Sequence, residues 1–258
     1  MTEHPDRHTN AESQDSFQPA VNAAELLEAQ TPSAAPEVIH NQHTDILINP
    51  DSRDAEWARR LAEVWADGLP EDWQQIPGSH KNKDHIYIGE VGRRTFLAKY
   101  QLDVPKSQSD LDELRNQHPH LVKAAEAQAS IQSEIELASD VRRVVESDHM
   151  QYIGALYGFA AIEFVEPIIG VVDRTKSDEF PDQVGVYRYV EDLKYFSEVF
   201  PDGDVADFNA LVHQLRAQLQ ASGIVPADLS HTQVLFGSNR HAYLLDAAQF
   251  YRGDKPAE

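Results

Sequence analysis

The stretch GIVPADLSHTQVLFGSNRHAYLLDAAQFY, from Gly223 to Tyr251, decides the fold. It contains two short apolar runs, Gln233–Gly237 and Ala242–Leu245, and the polar segment Ser238–His241 separates them. Two apolar runs around a short polar turn are typical of a β-hairpin. The sequence therefore predicts a hairpin near the C-terminal end of the chain, directly after an amphipathic helix.

An acidic residue flanks each apolar run of this hairpin. Asp228 precedes the first run, and Asp246 ends the second. Two carboxylates at the rim of a short hairpin are suited to holding a metal ion and a reacting hydroxyl group. A structural interpretation is also open, in which Asp228 caps a turn and Asp246 merely ends a strand.

The stretch resembles the catalytic segment of the protein-kinase superfamily. That segment has an Asp-Leu pair, an Asn five residues after the Asp, a hairpin and a metal-binding Asp. Asp228-Leu229 matches the pair, Gln233 stands at the Asn position and Asp246 at the metal position. The likeness is greatest to the RIO group of atypical kinases. The residues that carry it are Ala227-Asp228-Leu229-Ser230, Val234-Leu235, Tyr243-Leu244-Leu245-Asp246 and Gln249.

The resemblance implies an α+β chain with a two-lobed protein-kinase-like fold. The C-lobe would be minimal, without the activation loop and the peptide-docking helices. Residues 1–45 are predicted to be a disordered acidic tail, because their few apolar residues cannot offset the entropy of ordering. Residues 46–165 would form the N-lobe-like part, and residues 166–258 the reduced C-lobe-like part that carries the hairpin.

Apolar periodicity predicts the elements upstream of the hairpin. It indicates, in chain order, a helix, three strands, a long helix, a hairpin, an irregular segment and two helices. The predicted ranges are a helix from Asp51 or Ser52 to about Asp67, strands Trp73–Ile76, Ile86–Val91 and Thr95–Leu102, a helix His120–Ser147, a hairpin of Met150–Tyr157 and Phe159–Val165, irregular structure over Glu166–Pro181, a helix Val186–Val199 and a helix from Asp204 or Val205 to Gly223.

The third predicted strand carries a lysine, Lys99, within the apolar run Phe96–Tyr100. It is similar to the kinase strand that presents a lysine to the nucleotide phosphates. A lysine within an apolar strand needs a counter-charge, unless it lies at a sheet edge and points into water. The resemblance favours the phosphate-binding role.

In the kinase family, a glutamate from the long helix pairs with the strand lysine. The candidates are Glu126, Glu134 and Glu136. The family glutamate is followed by apolar residues four and seven positions later. Glu134 meets that pattern with Ala138 and Val141, so we choose Glu134 as the partner of the lysine.

Two further segments resemble nucleotide-binding parts of a kinase. Pro77–Asp84 stands where the family has a glycine-rich phosphate loop, although Gly78 is its only glycine. Ile162–Val165 resembles the hinge that follows the fifth kinase strand, where main-chain groups bind adenine. The main-chain groups of Glu163 and Val165 would be the nucleotide contacts.

Composition limits the classes of partner. The chain has 22 basic and 43 acidic residues and a formal net charge of −21, which makes direct nucleic-acid binding improbable. It has no cysteine, so disulfides and thiolate metal sites are excluded.

A membrane span would need an apolar run of about 18 residues, and none occurs. With no signal-peptide pattern, we expect a cytoplasmic protein without membrane partners.

The resemblance implies an ATP-dependent phosphotransferase or ATPase that uses Mg²⁺. Lys99 would hold the nucleotide phosphates, and Glu134 would orient Lys99. Asp246 and Gln233 would bind the metal, and Asp228 would orient a hydroxyl group and accept its proton. RIO proteins can also take the phosphate onto the metal-binding aspartate. The acceptor would be an unidentified protein or small molecule.

An impaired pseudokinase is the alternative. Gln233 stands where the second metal ligand is normally Asn, and Ala247-Ala248 replaces the usual Phe-Gly. Pro226 replaces a histidine whose side chain braces the loop in other kinases. Such a chain would bind a nucleotide or a protein partner without transferring phosphate.

Overall fold

The structure is a computed structural model that describes residues 34–76, 86–100, 107–117, 131–175, 182–227, 229–230, 232–245, 247 and 250–253. The strands are β1 Glu37–His40, β2 Thr44–Ile48, β3 Gln74–Gln75, β4 Ile86–Val91, β5 Arg94–Tyr100, β6 Ala161–Phe164, β7 Pro167–Asp173, β8 Asp182–Arg188, β9 Ile224–Pro226, β10 Val234–Phe236, β11 His241–Leu244 and β12 Phe250–Arg252. The helices are α1 Ala55–Val64, α2 Gln108–Gln117, α3 Ile131–Val145, α4 Asp148–Leu156, α5 Phe196–Val199 and α6 Val205–Ala221.

A large antiparallel sheet forms the first half of the molecule. Over the described ranges it has seven strands in the order β1-β2-β7-β8-β5-β4-β3. β4 and β5 are joined by a tight turn in which Gly92 has φ of +67°. The predicted strands over residues 86–91 and 95–102 are therefore confirmed, the second as far as residue 100, and β5 lies inside the sheet between β4 and β8.

Helices cover the two faces of this sheet. On one face, Trp57 of α1 packs on Phe96 of β5, with ring centroids 5.6 Å apart. On the other face, α3 packs on β7, where a Cβ at Gly170 would lie 2.5 Å from the Ile131 side chain. Only glycine at 170 permits this close approach. Because side chains alternate along a strand, β5 directs Phe96 towards α1 and Lys99 towards the α3 face.

A second core joins α3, α4 and α6 to a three-stranded sheet of order β10-β11-β6. β10 and β11 form the predicted antiparallel hairpin, in which Val234 pairs with Leu244. β11 also pairs with β6 in parallel orientation. A ladder between β9 and β12 closes the region. The hairpin prediction and the α+β fold class are confirmed.

The helix before the hairpin is also confirmed. α6 begins after Asp204, whose carboxylate accepts a hydrogen bond from the Ala206 amide at 2.8 Å. It ends before Gly223, which has φ of +74° and therefore suits a helix terminus. Phe208, Leu211, Leu215 and Leu219 are buried, as the periodicity predicted.

The predicted hairpin over residues 150–165 is wrong, because its first half is helical. Ser147 caps α4, and its hydroxyl accepts a hydrogen bond from the Met150 amide at 3.3 Å. Met150 and Gly154 are buried, which gives the helix an inward face. Gly158, with φ of +81°, makes the predicted turn, but that turn joins a helix to β6.

The predictions for residues 166–181 and 186–199 are also wrong. β7 occupies much of the segment expected to be irregular, and β8 with the short α5 replaces the expected helix. β8 lies between β7 and β5, with Val184, Val186 and Tyr187 buried. A strand that is covered on both faces gives a nearly continuous apolar run, and periodicity cannot separate such a run from a buried helix.

Ordered structure begins before the predicted boundary at residue 45. β1 lies within the range assigned to the acidic tail, and it is ordered by its pairing with β2. α1 begins at Ala55, after Asp54, and the Ser52 hydroxyl donates to Glu166 at 3.0 Å while it accepts from the Asp54 amide at 3.2 Å. Residues 1–33 and the predicted helical residues 120–130 lie outside the described ranges. Among the helices that the structure describes, none is both long and apolar enough to cross a membrane.

Candidate active site

A fully buried carboxylate lies at the centre of the candidate site. Glu134, in the first turn of α3, is 0% exposed. The Tyr187 hydroxyl of β8 donates a hydrogen bond to its Oε2 at 2.8 Å. The Ala247 amide, one residue after Asp246, donates to its Oε1 at 3.2 Å. Glu134 therefore links α3 to the sheet and to the segment after the hairpin.

The strand register directs Lys99 towards the same place. Lys99 of β5 pairs with Gly185 of β8. Residues that face each other across an antiparallel pair direct their side chains to the same face of the sheet. A Cβ at Gly185 would overlap the Tyr187 hydroxyl, so this hydroxyl lies directly over Gly185. The Lys99 side chain thus leaves the sheet next to the Tyr187–Glu134 hydrogen bond.

An apolar wall lies beside these polar groups. Its buried members come from the β6–β7 junction, β8 and β11, and four partly buried side chains pack against them. The buried residues are Val165, Tyr187 and Tyr243, and the packed residues are Leu97, Val190, Leu193 and Leu245. Leu97 and Lys99 are on the same face of β5, so the wall adjoins the lysine.

The opposite face of β5 packs into the core that it shares with α1. Phe96 and Ala98 are buried in the core under α1. Burial raises the pKa of Tyr100 to about 12, with further contributions from Tyr87, Asp182 and Asp173. The buried part of this face is apolar, whereas the lysine of β5 lies on the α3 face, which is consistent with a site on the α3 side.

Gln233 is held within the loop that precedes the hairpin. Its side-chain oxygen accepts a hydrogen bond from the Ser230 main-chain amide at 2.6 Å. The main-chain amide of Gln233 donates to the Ser230 carbonyl at 3.2 Å, and its main-chain carbonyl accepts from the Leu245 amide at 3.0 Å. The side-chain oxygen has a second lone pair, so the metal-binding role of Gln233 stays a prediction.

The two predicted carboxylates of the site, Asp228 and Asp246, lie outside the described residues, as does the loop over residues 77–84. Their roles therefore stay predictions. Their neighbours are described and buried: Leu229 is 2% exposed and Ala247 is 0% exposed. Within the described ranges, no three His, Asp or Glu side chains form a group that could hold a metal ion.

The segment expected to be the hinge lies in a different sheet from β5. β6 pairs with β11, and the Val165 amide donates to the Leu244 carbonyl at 2.9 Å. The Glu163 carboxylate accepts from Arg188 at 2.5 Å. The neighbours of β5 in its own sheet are β4 and β8, and Tyr189–Leu193 follows β8. The nucleotide contacts of Glu163 and Val165 stay predictions.

Sequence reasoning missed two residues of this region. Tyr187 was assigned to a helix, so its hydrogen bond to Glu134 could not be foreseen. Arg216 of α6 donates from Nη1 to the Pro226 carbonyl at 3.1 Å and from Nη2 to the Leu229 carbonyl. Its position as the one arginine of the amphipathic helix before the loop was the available signal.

A scan against protein-family models finds no match, and a search of curated proteins finds none. Solved structures that match include the Toxoplasma gondii specific rhoptry antigen kinase domain, at 12% identity, a TM-score of 0.30 and coverage of 89% of this chain and 58% of that chain. The ROP18 kinase domain in complex with AMP-PNP and sucrose matches at 11% identity and a TM-score of 0.34, over 92% of this chain and 62% of that chain.

ROP2 from Toxoplasma gondii, described as a virulence factor with a protein-kinase fold and no enzymatic activity, matches at 13% identity and a TM-score of 0.29. That match covers 92% of this chain and 62% of ROP2. This chain thus spans about three fifths of the length of the kinase structures that it matches.

Proposed function

We propose that this chain binds ATP in a protein-kinase-like site and acts as a phosphotransferase or an ATPase. One observation carries the proposal. The register of β5 and β8 directs Lys99 to the place where Tyr187 and Ala247 hold the buried carboxylate of Glu134. A buried carboxylate beside a lysine favours the charged form of both groups and keeps the ammonium in one position.

The nucleotide would lie between the sheet and the hairpin. Lys99 would contact its phosphates, and the apolar wall that includes Leu97, Tyr243 and Leu245 would contact the base. Main-chain groups of residues 189–193 would supply hydrogen bonds to the base edge. Few polar groups beside a mostly apolar wall are typical of small-molecule sites.

Asp246 and Gln233 would hold Mg²⁺, because carboxylate and carboxamide oxygens are ligands that this ion accepts. Bound there, Mg²⁺ would neutralise charge on the phosphates. The hydrogen bond from the Ala247 amide to Glu134 supports this assignment, since it fixes the residue that follows Asp246. Asp228 would orient the acceptor hydroxyl and take up its proton.

Among kinase types, we propose a RIO-like enzyme, on the strength of Ala227–Ser230 and the spacing of Asp246 and Gln249. The acceptor would be a small molecule, a protein or Asp246 itself. A pseudokinase is the second candidate. It is favoured by the 2.6 Å hydrogen bond that already engages the side-chain oxygen of Gln233, which Mg²⁺ would otherwise use.

Thermal unfolding of the full chain with ATP, with and without Mg²⁺, tests nucleotide binding. Ligand at a hundred times its dissociation constant adds about 2.7 kcal/mol to the stability, which gives a measurable rise in Tm. We expect Lys99→Ala to abolish this rise. Arg59→Ala is the control, because Arg59 is an exposed cation on α1 that pairs with Glu37. An equal rise in the wild type and in Lys99→Ala would refute the site.

Turnover separates the two candidate functions. A phosphotransferase or ATPase releases ADP from ATP in the presence of Mg²⁺, and Asp246→Asn abolishes the release. A pseudokinase gives the Lys99-dependent rise in Tm, while ADP release by the wild type equals that of Asp246→Asn.

A further inference from the structure

The loop between β9 and β10 is anchored by an arginine from a neighbouring helix. Arg216 is half-buried on α6, next to the buried Leu215. Its two terminal nitrogens donate to the carbonyl oxygens of Pro226 and Leu229. These carbonyls belong to residues on either side of Asp228.

The anchored residues are themselves fixed by other contacts. Pro226 pairs with Phe250 in the β9–β12 ladder. Leu229 is 2% exposed and belongs to the second core. Further along the loop, the Ser230 amide donates to Gln233 at 2.6 Å. Arg216 therefore holds the main chain at Pro226 and at Leu229, and the bond between Ser230 and Gln233 braces the loop further along.

The chemistry of this contact suits arginine. A guanidinium group is planar, always charged and carries donors in a fixed fork, so it can reach two carbonyl oxygens at once. Lysine presents a single ammonium group and would not hold both in one geometry. Proline at 226 has no N–H group, so its carbonyl is the only main-chain group by which it can be fixed.

We infer that Arg216 is a positioning residue that fixes the main chain at Pro226 and Leu229, the described residues that flank position 228 in the sequence, and so positions the loop that carries Asp228. The role of Asp228 in this inference rests on the proposed function, whereas the anchoring of the loop does not. The arginine would thus supply the bracing that Pro226 cannot give.

Hydrogen exchange of the full chain tests the anchoring without any need for activity. In Arg216→Met, we expect the amides of Leu229, Ser230 and Gln233 to exchange about tenfold faster, because hydrogen bonds from a charged donor have been lost. Arg216→Lys should show a smaller increase. Exchange in the α6 and β11 amides should not change, and neither should any amide in the control His213→Ala, an exposed position on the same helix.

Two results would overturn the inference. One is unchanged exchange in the loop. The other is an equal increase in the loop, α6 and β11, which would mean that Arg216 only stabilises the fold as a whole.

Kinetics test the effect on Asp228. If the wild type turns over ATP, Arg216→Met should lower kcat about tenfold or more with KM for ATP within about twofold, and Arg216→Lys should recover part of kcat. A raised KM with unchanged kcat would contradict positioning of Asp228. A wild type without turnover would refute the enzymatic half of the proposed function, and the exchange experiment would still decide whether Arg216 anchors the loop.

Discussion

A single missing side chain at position 185 makes room for the polar centre of the candidate site. Gly185 pairs with Lys99, and the Tyr187 ring lies over it so closely that a Cβ there would be 2.7 Å from two ring carbons. The Tyr187 ring is buried among the side chains of the apolar wall and cannot move away freely. The hydrogen bond between Tyr187 and Glu134 therefore depends on glycine at 185.

We predict that Gly185→Ala destabilises the chain by about 1–3 kcal/mol, the usual cost of overpacking a core. The displaced Tyr187 hydroxyl should also weaken the ATP-dependent rise in Tm. Urea denaturation measures the first effect. Tyr187→Phe removes the oxygen that lies nearest to the new methyl group, so Gly185→Ala should cost less in that background. Additive effects of the two substitutions would show that they do not act through this contact.

For single residues, the sequence indicated two that the structure brings towards each other, and their roles stay predictions. Lys99 and Glu134 were chosen from a strand position and a helix spacing, and the structure directs both to one place. Tyr187 and Arg216 were missed because their partners are distant in sequence, a carboxylate of α3 in one case and two main-chain carbonyls in the other. Main-chain carbonyls occur at every residue, so sequence spacing cannot select them.

Among the secondary-structure elements, α4 begins after a serine, Ser147, that is a helix-start signal in the sequence. The Ser147 hydroxyl accepts from the Met150 amide and donates to the Val144 carbonyl at 2.9 Å, so it caps one helix and closes another. A serine three residues before the first buried position is a helix-start signal.

We predict that Ser147→Ala destabilises the protein by about 1 kcal/mol, the typical cost of losing an N-cap. Ser147→Asp should retain most of the stability, because its carboxylate can accept the same hydrogen bond. Chemical denaturation of both variants checks this. Equal losses in Ser147→Ala and Ser147→Asp would indicate that the bond to the Val144 carbonyl matters more than the cap.

The strand β8 could not be predicted from the residues that form it. Nothing local in residues 182–188 distinguishes a strand covered on both faces from a turn of buried helix. Its partners β5 and β7 and its covering side chains come from other parts of the chain. The same limit applies to β6, whose membership of the smaller sheet depends on its pairing with β11.

Across the whole molecule, a buried ion pair joins distant parts of the chain. Both carboxylate oxygens of Glu166 lie 2.7 Å from Nη1 of Arg142 on α3. Glu166 also accepts from the Ser52 hydroxyl at 3.0 Å and from the Arg53 amide at 2.8 Å. Its side chain is 5% exposed. This one carboxylate therefore connects the segment before α1, the C-terminal half of α3 and the start of β7.

We predict that Glu166→Gln destabilises the protein by about 3 kcal/mol, because it leaves the Arg142 charge without its buried partner. The control is Glu37→Gln, which breaks the exposed pair with Arg59 and should cost less than about 1 kcal/mol. Urea denaturation of both variants gives the comparison. Similar losses in the two variants would mean that the buried pair adds no more than a surface pair does.

The parallel pairing of β11 with β6 also sets an order of events in folding. The β10–β11 hairpin closes over a four-residue connection and can form early, whereas His241 must find Ala161, which lies 80 residues earlier in the chain. Closing so long a loop costs entropy before any contact is gained, and long-range pairing slows folding. During synthesis on the ribosome, the edge of β6 stays without this partner until β11 has emerged, and nascent chains would be exposed to misassociation at that edge.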